Sequence, residues 1–152
     1  DAKTDKTGPW LREQIAAEGH AVIEHAIVPD DIRSIQSQLK SWIANPAIHA
    51  VIATGGTGLT GRDVTPEAFR PLFDKEMDGF AAVFHQVSFR SVGVSTIQSR
   101  AIAGISAGTY LFAIPGSSGG CRDAWNHVLR DEFDRTHGPC NLVELIPRLT
   151  ER

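Results

Sequence analysis

The chain has 152 residues, 41 % of them hydrophobic and 22 % charged, with a formal net charge of −3. Such a composition describes one globular domain, long enough to bury about 70 % of its unfolded surface without disulfide or metal staples. It gives no reason to expect a nucleic-acid partner, and no apolar run approaches the ~18 residues of a membrane helix.

In chain order, Gly8-Pro9 reads as a helix entry, with Leu11 and Ile15 on one face and Gly19 as the stop. Ala21 to Val28 predicts a strand ended by Pro29, after which Asp30-Asp31 cap a helix with Ile32, Ile35, Leu39, Trp42 and Ile43 at helical spacing. A strand from Ile48 to Ala53 runs into a glycine loop. A short helix follows from Thr65 to Phe73, then a longer one between Asp78 and Arg90, and a further short helix across 96–105. Thr109 to Ile114 is the last predicted strand, and Pro115-Gly116-Ser117 turns it into a helix reaching Phe133. The fold class that follows is α/β: an open, mostly parallel sheet with helices on both faces. The chain enters a helix almost at once, so an opening strand is expected from residues preceding Asp1.

In such sheets ligands sit beyond the carboxyl ends of the strands. Three loops leave those ends here: Pro29-Asp30-Asp31, Gly55 to Asp63, and Pro115 to Gly120. The middle loop holds four glycines between Gly55 and Gly61. Glycine lets backbone N–H groups close around an anion. Gly56-Thr57-Gly58-Leu59-Thr60-Gly61 matches the G-x-G-x-x-G dinucleotide pattern, but Asp63 and Thr65-Pro66 place the helix start after the third glycine. Asp63 would repel a bare pyrophosphate unless a cation intervened. Magnesium takes one or two carboxylates with waters and substrate phosphates, which makes Asp30 and Asp63 a candidate pair; Asp30 has helix capping as its competing role. Pro115-Gly116-Ser117 offers free N–H groups at a helix start, with Ser117 either donating to a phosphate or capping. Arg62 and Arg122 are placed to neutralise negative charge. The six histidines show neither HExxH nor close pairing, and Cys121 and Cys140 read as free thiols in a reducing, cytoplasmic setting.

Thr54-Gly55-Gly56-Thr57-Gly58, followed by Arg62-Asp63-Val64-Thr65-Pro66-Glu67, resembles the signature of the MoaB/MogA molybdopterin-binding family. Ser99-Arg100-Ala101, Pro115-Gly116-Ser117 and Asp5 with Thr7-Gly8 are similar to its other landmarks, and Cys121 to Trp125 leans toward the MoaB branch. The resemblance implies a molybdenum cofactor biosynthesis protein that binds molybdopterin and adenylylates it with Mg-ATP, giving pyrophosphate. It implies catalytic and magnesium-binding roles for Asp30 and Asp63. Substrate contacts would fall at Gly55, Gly56, Thr57, Gly58, Thr65, Ser99, Pro115, Gly116 and Ser117. It further implies a trimer or hexamer and a first strand ending near Ser-Asp. A non-catalytic molybdopterin carrier and a nicotinamide-dependent oxidoreductase are the rival expectations.

Overall fold

The computed structural model describes residues 2–152. Asp5 accepts from the N–H groups of Thr7 (3.1 Å) and Gly8 (2.8 Å) and so starts α1, Thr7–Ala17. Asp31 caps α2, Ile32–Ile43, by accepting from the Ser34 amide at 2.8 Å and its hydroxyl at 2.9 Å. Then come β1 (Ala50–Thr54), α3 (Thr65–Phe69), the two-residue β2 (Lys75–Glu76) and α4 (Asp78–Val92). β3 (Ile102–Ser106) and β4 (Thr109–Ile114) form a hairpin turned by Ala107 and Gly108, both left-handed at φ 47° and 84°. α5, Ser118–Ala124, widens into a π turn at Trp125–Leu129 and ends in Arg130–Glu132.

The sheet is open, in the order β1-β4-β3-β2. β1 and β4 are parallel, while β3 is antiparallel to both β4 and β2. Side chains along β4 alternate between two cores, as strand geometry requires. Tyr110, Phe112 and Ile114 join Leu11, Phe80, Phe84, Trp125 and Leu129 on one face. Leu111 and Ala113 join Leu39, Val51, Phe69 and Ile102 on the other. Helices therefore cover both faces of the sheet, as the apolar strands required.

Three expectations need correction or placement. Residues 21–28 do not form a strand. Among the described residues no backbone–backbone hydrogen bond involves them, and Val22, Ile23 and Ile27 stay exposed. They line one side of a cavity of ≈ 1040 Å3 whose lining also includes β1, the last strand of the sheet on that side. A strand needs a neighbour about 4.8 Å away to pair its N–H and C=O groups, and β propensity cannot replace one. The segment is tied instead to α2, through the indole of Trp42 donating to Glu24. The short helix expected across 96–105 is a 3-10 turn only as far as Gln98, and Ile102–Ser106 is strand β3. Here the hairpin pairing with β4 prevails over local pattern. The opening strand expected before Asp1 lies outside the described residues.

Candidate functional site at the sheet rim

β1 and β4 run parallel and in register, Thr54 opposite Ile114, so both chains leave the sheet at the same level. Gly55 extends the pairing by donating its N–H to Ile114 O at 3.0 Å. Beyond that bond the two backbones touch: a Cβ on Gly116 would lie 2.9 Å from the Gly55 Cα. Gly55 and Gly56 adopt φ of +103° and +68°, which side chains disfavour. Thr65 fixes this bend, its hydroxyl donating to Gly55 O (2.8 Å) and its amide to Gly56 O (3.0 Å). On the other side the Thr7 hydroxyl donates to Gly116 O at 3.0 Å, bringing the start of α1 to the rim. Thr65, the expected start of the helix, is the first residue of α3 and also a brace for the loop, and Val64 stands at the cap position without a side-chain bond.

The acids divide their tasks. Asp31 alone caps α2, which leaves the exposed Asp30 carboxylate free of that role. Asp30 pairs with Arg62 of the glycine loop at 3.8 Å, so it shares the rim with Asp63. Both partners are largely exposed, and such a pair contributes little to stability. Asp63 accepts through one oxygen, Oδ2, from the Thr60 amide (2.9 Å) and the Thr60 hydroxyl (2.8 Å). These bonds, the hydroxyl's first, hold its carboxyl below the ordinary value of 3.8, with the Arg100 charge acting in the same direction. The Gly58 backbone N–H also acts on this carboxylate and lowers its pKa in the same sense. Among the described residues no three acidic, histidine or cysteine side chains gather to cage a metal. Two carboxylates on an open rim fit magnesium, whose shell is completed by water and phosphate.

The remaining expected site residues are distributed as follows. Thr57 is buried and its carbonyl accepts from the Arg100 amide at 2.7 Å, while the Gly58 carbonyl accepts from the Arg100 guanidinium at 2.8 Å. Ser99 adjoins that clamp with its hydroxyl buried and unpaired. Pro115 is half-buried, and Ser117 is the cap of α5, its hydroxyl accepting from the Gly120 amide at 3.2 Å. Arg122 stacks on Trp10, 4.7 Å from the ring centre. Both cysteines are free, and burial pushes the Cys121 thiol up to about 11, which makes it inert. Sequence reasoning quoted Glu67 and Arg100 only within the landmarks of the resemblance, and gave neither them nor Thr60 a role. The Thr60 to Asp63 spacing is a hydroxyl–carboxylate turn signal, whereas nothing local announces the partners of Arg100.

A glycine-lined rim bearing two acids at the end of an open α/β sheet defines a class of anion-binding domain, and known proteins make the class specific. Residues 1–135 match the family described as a probable molybdopterin binding domain. The chain belongs to the MoaB/MogA molybdopterin-binding family. It is similar to molybdenum cofactor biosynthesis protein B of Escherichia coli K12, at 44 % identity over 137 residues covering 90 % of this chain and 81 % of that one. A crystal structure of molybdenum cofactor biosynthesis protein B superposes with a TM-score of 0.83 at 40 % identity, over 87 % and 83 % of the two chains. The tungsten cofactor synthesizing protein MoaB from Pyrococcus furiosus superposes at 0.76 with 36 % identity, over 84 % and 81 %.

Two outcomes are expected from this geometry. Gly116→Ala forces a methyl against the Gly55 backbone, and should lower stability by about 1–3 kcal/mol in denaturant unfolding. Thr60→Ala removes the hydroxyl bond and should move the Asp63 titration upward toward 3.8 in carboxyl NMR. The sign follows from linkage: with the folded pKa depressed, the stabilisation is complete above 3.8 and is lost as pH falls through the lower folded value.

Proposed function

We propose that this protein serves molybdenum cofactor biosynthesis by binding molybdopterin at the rim and adenylylating it with Mg-ATP. The observation that carries this reading is the backbone contact between Gly55 and Gly116, with Asp63 and the Asp30–Arg62 pair beside it. One loop would receive the pterin's terminal phosphate on backbone N–H groups beyond Gly55, whose own N–H is spent on Ile114 O, where Thr57 and Ser99 border it. The other would receive ATP along Pro115-Gly116-Ser117. Thr65 acts on this site by bracing Gly55 and Gly56. A magnesium ion held by Asp63 and Asp30 would supply charge neutralisation at the nucleotide phosphates.

In the proposed reaction an oxygen of the pterin phosphate attacks the α-phosphorus, a new P–O–P bond forms, and the bond to the β-phosphate oxygen breaks to release pyrophosphate. The phosphate is already ionised, so no side chain has to remove a proton. The chain's task is positioning and charge balance. This agrees with a Cys121 thiol that burial pushes up to about 11. Retention of both acids favours turnover over a carrier role. The nicotinamide reading fits less well, because α3 starts at Thr65, beyond the last glycine of the pattern.

A cytoplasmic trimer or hexamer belongs to the same proposal. Among the described residues no helix is long and apolar enough to cross a membrane. Phe89, Val92, Val94 and Ile97, on the end of α4 and the 3-10 turn after it, are 54–77 % exposed and offer an apolar surface to a second copy.

Incubation with molybdopterin and Mg-ATP should release pyrophosphate; saturated, folded protein that releases none leaves only the carrier role. Asp63→Asn should keep pterin binding and lower turnover by about 100-fold or more. Asp30→Asn should lose roughly ten-fold with little change in melting temperature, since Asp31 is the cap. Normal turnover by Asp63→Asn with metal dependence intact would remove Asp63 from the reaction.

A further inference from the structure

Arg100 stands on the bend before β3, and its donors are directed at the glycine loop and α3. Nε donates to Gly58 O at 2.8 Å and Nη2 to Asp63 O at 2.9 Å. The Glu67 carboxylate receives Nη1, and Nη2 at 3.3 Å. The Arg100 amide donates to Thr57 O at 2.7 Å. These acceptors span the loop from its buried start to the first turn of α3. Four of the five guanidinium N–H groups are thereby used within the protein. Mutual pairing raises the Arg100 pKa and lowers that of Glu67, so both remain charged near neutrality.

We propose that Arg100 is a positioning residue: its planar fork holds the loop from Thr57 to Asp63 closed and thereby sets the Asp63 carboxylate, while Glu67 keeps the guanidinium turned away from substrate phosphate. The Asp63 part rests on the adenylylation reading; the loop clamp does not. Lysine cannot reproduce the clamp, because a single ammonium cannot span Gly58, Asp63 and Glu67 with a fixed fork.

The full chain, Arg100→Gln and Arg100→Lys are compared by amide hydrogen exchange and by pyrophosphate release across a magnesium titration. Both variants should exchange the amides of residues 58–63 at least about ten times faster, with β4 amides unchanged. Both should also lower kcat by about 10–100-fold and raise the magnesium concentration for half-maximal rate, with a smaller change in KM for molybdopterin. Should Arg100→Gln not fold, Arg100→Lys and Glu67→Gln take its place in both measurements. Unchanged exchange at 58–63 overturns the clamp whatever the activity. Wild-type kcat and magnesium requirement in a variant with a loosened loop overturns the positioning role, as does full recovery by lysine. A wild-type protein that releases no pyrophosphate removes the adenylylation reading, and exchange alone then decides the clamp.

Discussion

Backbone meets backbone where Gly55 approaches Gly116, with no room for a side chain between them. The contact follows from the parallel, in-register pairing of β1 with β4, which delivers both loops to one level. It is reinforced from both sides, by Thr65 on Gly55 and by Thr7 on Gly116. Parts of the chain 109 residues apart, such as Thr7 and Gly116, thus meet at one rim. The loops after β1 and β4 therefore form a single surface, and reactants laid on them would share one frame without domain closure.

Negative side chains at this rim are kept available because other groups take over their local duties. Asp31 caps α2 and releases Asp30, and Thr60 fixes the Asp63 carboxylate through Oδ2. Arg62 and Arg100 supply positive charge on either side of Asp63, the first exposed and directed at Asp30, the second committed to the loop. A surface carrying both signs in fixed places suits a reaction in which a metal and several phosphates must be held together. Acids or arginines alone would repel one of those components.

Much of this was legible in the sequence, and what was not has physical causes. The Thr109–Ile114 run and the glycine loop after β1 were readable because burial and backbone freedom act through residue type. Placing Asp30 and Asp63 on one rim relied on strands ending together before both, and the structure has such a strand only before Asp63; Asp30 is tied to the glycine loop through Arg62 instead. The competition between Asp30 and Asp31 for the cap was not decidable, since adjacent identical residues differ only in direction. Residues 21–28 carry every local mark of a strand, yet pairing is a property of neighbours and no spacing reveals it. Thr65 has the composition of a cap but is drawn one step inward by Gly55 and Gly56. The role of Arg100 is illegible for a related reason: its partners lie 33 to 43 positions away and are united only by the fold.

The sheet also distributes stiffness unevenly around the rim. β4 is flanked on both edges and fully buried, so the turn at Pro115 grows out of the part of the molecule that opens last. Asp30, at the opposite side, is placed instead by the helix start that Asp31 caps beside it. One wall of the rim is thus set by strand pairing on two sides, and the other by the entry of a helix.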